Sequence, residues 1–144
     1  MRVRFLCDGA RFSLYALELG DGRDYEVFKE ECKKDRPGDM ATMIHRLERL
    51  AESGISGKKQ NFNHLDDGIW EAKTRGGLRI TFFQYGDAFF IIDSCFAKNQ
   101  QRTPPGEIQQ AKARRSQFLD AMQSDSETLT VLVKEGVKPK RVLE

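Results

Sequence analysis

Apolar and polar positions alternate at the start of the chain, with Val3, Phe5 and Cys7 set against Arg2, Arg4 and Leu6. Asp8-Gly9 signals a turn, and Phe12, Leu14, Ala16 and the run Leu17–Leu19 follow, so the first twenty residues read as a hairpin. Beyond Gly20-Asp21-Gly22 the period lengthens. Asp24 can cap a helix to about Asp35 with Tyr25, Phe28 and Cys32 at helical spacing. Pro37-Gly38 ends it, and Asp39 is placed to cap a second helix whose stripe is Met40, Met43, Ile44, Leu47, Leu50 and Ala51, stopped by Gly54. Three apolar runs then come close together: Ile69–Thr74, Leu78–Tyr85 and Ala88–Phe96, separated by Gly76-Gly77 and Gly86-Asp87. Such short connections predict an antiparallel meander. Thr103-Pro104 reads as a cap and first-turn proline for a helix carrying Ile108, Ala111, Phe118, Leu119 and Met122.

The expected fold is α+β: a small antiparallel sheet, made of the three-strand meander and the N-terminal hairpin, packed on two N-terminal helices, with a C-terminal helix. One domain is expected over 1–122. A tail over 123–144 contains a short β-like run, Leu129–Val133.

Alternation gives each meander strand two faces. Leu78, Ile80 and Phe82 fall on the core side, as do Trp70, Ala72 and Thr74, and Phe90, Ile92 and Phe96. With the helices on that side, the other face is expected to be open. It would display Glu71, Lys73, Arg75 and Arg79, with Lys98 and Arg102 just past the last strand. Converging cations with one carboxylate suit the grip of a phosphodiester; a solvated sheet face has the same look.

Composition narrows the classes. The chain is 39% hydrophobic and 32% charged, an ordinary globular balance. Its longest apolar run, Ala88–Ile92, is too short to span a bilayer, and its first residues do not form a secretory signal, so a cytosolic protein without membrane association is expected. Cys7, Cys32 and Cys95 form no CxxC pair and only His45 and His64 accompany them, so reduced thiols, no metal and no cofactor are expected. The net charge is +2, with ten Lys/Arg against six Asp/Glu over 58–115. That local excess suits a phosphate site better than the broad basic footprint of a duplex-DNA binder.

Three strings resemble one family. Leu65-Asp66-Asp67-Gly68-Ile69-Trp70-Glu71-Ala72-Lys73 resembles the "L-x-x-G-L-W/Y-E-L-R" signature of HigB-like toxins in the RelE/ParE superfamily. Gly77-Leu78-Arg79-Ile80-Thr81-Phe82 resembles their "Y-R-I" strand, with Leu78 in place of the tyrosine. Phe96-Ala97-Lys98-Asn99-Gln100-Gln101-Arg102-Thr103-Pro104, followed by Glu107-Ile108-Gln109-Gln110-Ala111, resembles their "F-x-K-K-x-x-K-T-P" element and next helix, with Asn99 replacing the second lysine. The resemblance covers roughly residues 24–122.

It implies a ribosome-dependent endoribonuclease that cuts mRNA and is held inactive by a cognate antitoxin, expected to be a helix-turn-helix protein. The partner set is then mRNA on the ribosome and that antitoxin. By position, Lys73 stands for the signature arginine, Arg79 for the "Y-R-I" arginine, Lys98 for the first lysine of the third motif and Arg102 for its last. Metal-free cleavage needs a group to take the 2′ proton, for which Lys73, Glu71 and His64 are candidates, an imidazole titrating near neutrality. It also needs cations on the developing phosphate charge, for which Arg79 with Lys98 or Arg102 are placed. Arg75 is a further RNA contact, and Phe83 and Phe89 are candidates to stack bases. A gyrase-inhibiting toxin of the same fold, or an inactive phage-borne interaction module, are the alternatives.

Overall fold

The structure is a computed structural model and describes residues 1–55, 62–97, 103–123, 130–132 and 143. Strands β1 (Arg2–Asp8) and β2 (Ser13–Leu17) lead into helices α1 (Tyr25–Asp35) and α2 (Pro37–Ser53). Then come β3 (Phe62–Asp66), β4 (Ile69–Lys73), β5 (Leu78–Tyr85), β6 (Phe89–Ala97), α3 (Pro105–Gln123) and β7 (Thr130–Leu132). One sheet holds all seven strands in the order β3-β4-β5-β6-β2-β1-β7. The α+β class is as expected. So are the hairpin, the meander and the three helices.

Both long-range strand joins are parallel: β2 lies beside β6, and β7 beside β1. All five residues of β2 are buried, because the strand is flanked on both sides and covered on both faces. β3 has no clear apolar run and was not expected. It is created by the Asp67-Gly68 turn, where both residues have positive φ (34° and 79°), the pair of values a two-residue hairpin of primed type requires.

The helix layer forms as the periodicity indicates. Asp24 caps α1, its carboxylate accepting from the Glu26 N–H at 3.0 Å. Gly54 closes α2 with φ 78°. Leu14, Phe28, Met40, Met43, Leu47, Leu50, Ile80 and Phe82 meet in the core between these helices and the sheet.

The opposite face is not open. α3 lies across it, and Ile69, Tyr15, Phe83 and Ile91 pack with Ala111 and Phe118 in a second core. Phe118 meets the rings of Phe83 (5.5 Å) and Tyr85 (5.2 Å) edge-on. Lys112 on α3 also reaches Asp66 (3.2 Å) and Asp67 (3.1 Å) at the β3–β4 turn. The alternation along β4 and β5 is as expected, but the outer face carries Ile69, Phe83 and Ile91, and α3 covers them. Leu143 joins the same core, and β7 adds to β1, so these parts of the tail pack on the domain.

Register shifts occur at three points among the described strands, one of them between His64 and Asp66, and the other two reset the expected faces. One between Phe5 and Cys7 sends Val3 and Phe5 to the α3 side and leaves Cys7 against the α1/α2 core. The other sits at Thr81/Phe82, where β6 has Asp93 as the extra residue. Cys95, not Phe96, then faces α1 and α2. Phe96 pairs with Arg79 and shares its side.

Asp93 is fully buried under α3. Thr81 donates to its Oδ2 at 2.9 Å, and Arg114 of α3 stands 3.6 Å away. Its other oxygen, Oδ1, has no hydrogen-bond partner among the described residues. Burial pushes this carboxyl up to about 6, against the pull of Arg114 and the hydroxyls of Thr81 and Ser94.

Two outcomes follow from this layer. Phe118→Ala is expected to lower unfolding free energy by about 3–5 kcal/mol in a denaturant titration, as for a fully buried aromatic; a loss under about 1 kcal/mol would mean that α3 does not cover the sheet. Because the folded state holds Asp93 protonated more readily than the unfolded chain does, its contribution to stability is complete near pH 4 and is lost as pH rises through about 6. The stability of Asp93→Asn relative to the parent should therefore rise from pH 4 to pH 7. A difference independent of pH would contradict the assignment.

Candidate functional site

The expected cluster is partly assembled, at one end of the sheet. Register brings Lys73 opposite Arg79, Arg79 opposite Phe96 and Leu78 opposite Ala97. The β4–β5 turn, the end of β6 and the start of α3 thus share one rim. Lys73 is half-buried and Arg75 exposed there. Lys98 and Arg102 lie outside the described residues.

Behind the rim, Glu71 and Arg79 are almost fully buried, at 2% and 3% exposure, where exposed residues had been expected. Their environment explains the difference. The Thr103 hydroxyl donates to Glu71 Oε2, Arg79 Nη1 donates to Thr103 Oγ1 at 2.9 Å, and the guanidinium lies 3.5 Å from the carboxylate. A buried carboxylate and a buried guanidinium each need such partners. Thr103 therefore does not cap α3. The Pro104 carbonyl accepts from the N–H groups of Glu107 (3.0 Å) and Ile108 (3.4 Å), and the Thr103 side chain turns to the sheet instead.

A second link holds the same helix end. Glu107, in the first turn of α3 and buried, pairs with Arg23 at 2.5 Å. Arg23 lies over the Phe96 ring, 5.6 Å from its centre, and its carbonyl accepts from the Cys95 N–H at 3.0 Å.

The β4–β5 turn is fixed from the helix layer. Asp39 sits in the first turn of α2 rather than at its cap, since α2 begins at Pro37. Its carboxylate accepts from Thr74 Oγ1 at 2.7 Å and from the Gly76 N–H at 3.4 Å. Arg36 Nη1 donates to the Gly76 carbonyl at 3.0 Å. A side chain at position 76 would overlap the Asp39 carboxylate, which accounts for glycine there.

The remaining candidates are elsewhere. His64 is exposed on β3, opposite Trp70 with its ring edge-on at 5.0 Å. Paired residues share a face, so His64 stands with Trp70 on the α2 side, away from Glu71 and Lys73. Phe83 is fully buried against Phe118 and presents no ring to a base. Phe89 begins β6, eight residues and about 26 Å from Ala97. It packs against Tyr15 and Tyr85 at the far end of the sheet.

Arg23, Arg36, Thr103 and Glu107 were not singled out as site residues. Their positions follow from loop paths that periodicity does not encode; only the short spacing from Lys98 to Glu107 hinted that the last two share the rim. Cys32 and Cys95 are close by and buried, and burial pushes both thiols up. Among the described residues no group of His, Cys, Asp and Glu could hold a metal ion, and no helix is long and apolar enough to cross a membrane.

No curated protein sequence matches the chain. The family described as Phage derived protein Gp49-like (DUF891) matches residues 33–116, from the end of α1 into α3 and across the whole rim, more than half of the 144 residues. The chain belongs to this Gp49-like family, a toxin-like family of the toxin–antitoxin type.

Proposed function

We propose that the protein is the toxin of a toxin–antitoxin pair and that it cuts mRNA on the ribosome, with a helix-turn-helix antitoxin as its neutralising partner. The supporting observation is the basic rim, where half-buried Lys73 and exposed Arg75 stand at the end of the sheet from which the chain continues into Lys98.

The reaction is attack of a 2′-oxygen on its own phosphorus. The 2′ proton passes to a base, the bond from phosphorus to the 5′-oxygen breaks, and that oxygen takes up a proton. The products are a 2′,3′-cyclic phosphate and a 5′-hydroxyl end. Of the three proton-transfer candidates, Glu71 is committed to Thr103 and Arg79, and His64 is on the other face. Lys73 is the one at the rim and takes that role. Arg75, Lys98 and Arg102 stabilise phosphate charge. Arg79 acts from behind, holding Thr103 and Glu71.

One observation favours a second reading, an interaction module of the same fold without cleavage. Glu71 and Arg79 neutralise each other, which removes one cation from the rim.

Breaking a buried ion pair costs about 3–5 kcal/mol, so an Arg79 variant reports on folding before catalysis. Lys73 is the cleaner probe. Lys73→Ala is expected to keep stability within about 0.5 kcal/mol and to reduce cleavage about 100-fold or more. The measurement is primer extension on ribosome-bound mRNA after induction, with growth recorded alongside. Intact mRNA and normal growth with the parent chain would overturn the nuclease. Inhibited supercoiling by purified protein, with mRNA intact, would favour the gyrase-directed alternative.

A further inference from the structure

A groove of about 380 Å³ opens beside the rim, between α1 and the end of β6. It is lined by Arg23, Arg36, Phe96 and Ala97, with Glu31 and Asp35 facing it from α1. Its volume is that of a small-ligand pocket, on the order of 300 Å³ and above. Arg36 is tied to Gly76, the residue after Arg75, and Ala97 pairs with Leu78 at the start of β5. The groove therefore adjoins the rim.

Neither arginine is a loose surface cation. Arg36 is exposed, yet its guanidinium donates one N–H to the Gly76 carbonyl, which directs it towards the β4–β5 turn. The Arg23 side chain is 34% exposed, with one end held by Glu107 and its guanidinium carbon 5.6 Å from the centre of the Phe96 ring. A guanidinium carries five N–H groups, so each of these contacts leaves donors for a second acceptor. A fork oriented in advance loses little side-chain freedom when it binds an oxyanion. Glu31 and Asp35 also line the groove, so an anion there is held by the two guanidinium groups alone.

We propose that Arg23 and Arg36 form a phosphate subsite of the RNA-binding surface, receiving the backbone phosphate of a nucleotide that flanks the one at Lys73. This rests on the RNA reading above and extends it to residues of the helix layer. Two arginines on one phosphate give a characteristic signature. Both forks are needed to hold the phosphate, so either single substitution disables the subsite and the two losses are not additive.

The test is binding of a fluorescent single-stranded oligoribonucleotide, 2′-O-methylated throughout so that it cannot be cut, followed by anisotropy over a range of salt. The full chain is compared with Arg36→Ala, Arg23→Lys and the double variant. Arg23→Lys keeps a cation for Glu107 and removes the fork, and thermal unfolding of each variant checks the fold. Arg36→Ala is expected to weaken binding about tenfold and to reduce the slope of log affinity against log salt by about 0.7, one single-strand phosphate. The double variant is expected to be little worse than either single one. Parent affinity and slope in both Arg36→Ala and Arg23→Lys would overturn the subsite, as would a parent chain with no salt-dependent affinity for this RNA. Salt-dependent binding with the stated losses, but no cleavage of ribosome-bound mRNA, would refute the nuclease and leave the subsite standing.

Discussion

A buried hydrogen-bonded cluster, Glu71–Thr103–Arg79, decides where α3 begins. The sheet contributes a carboxylate and a guanidinium that cannot be left in an apolar interior unpartnered. The threonine just before α3 completes them, giving its proton to Glu71 and accepting from Arg79. The chain is thereby pinned to the sheet immediately after residue 102. Glu107 and Arg23 repeat the arrangement one helical turn later. Two charge-paired links hold the entry to the helix, and the segment between Ala97 and Thr103 must start and finish on the rim. The cluster thus sets where the chain rejoins the sheet before α3.

Further along, α3 changes from polar to apolar attachment. Ala111 and Phe118 seal Ile69, Phe83 and Ile91 from water, while Arg114 approaches the buried Asp93. The apolar part supplies most of the docking energy. Asp93 works against it whenever it is charged, because its Oδ1 has no hydrogen-bond partner among the described residues and Arg114 sits too far away to offset burial fully. The cover over the sheet is thus firm at Phe118 and sensitive to proton uptake at Asp93.

Much of this architecture was legible in the chain. The 3.6-residue stripe from Met40 to Ala51 and the glycine-bounded runs of the meander each have one reading at the level of local geometry, and each formed as read. The faces of β4 and β5 were equally plain. What alternation cannot encode is whether a face is covered, since Phe83 and Ile91 would read the same on a wet face or a dry one. The bulge at Asp93 was also illegible: one extra residue transfers Phe96 and Cys95 to opposite sides without any change in composition. Burial divides the residues of the candidate site. Lys73 and Arg75 stayed at the surface, whereas Glu71 and Arg79 sank into a network whose third member, Thr103, resembled an ordinary helix cap. Asp39 departs from its expected cap position for the same reason. Its carboxylate found Thr74 and Gly76 across the fold instead of its own helix.

The dependence of α3 on the buried cluster is most directly measured by a double-mutant cycle. Unfolding free energies would be determined by denaturant titration for the parent, Glu71→Ala, Thr103→Val and the pair. If the hydroxyl and the carboxylate act as one unit, the combined loss falls short of the sum of the single losses by about 1–3 kcal/mol. Additivity within about 0.5 kcal/mol would contradict that unit and, with it, the view that the cluster fixes the start of α3.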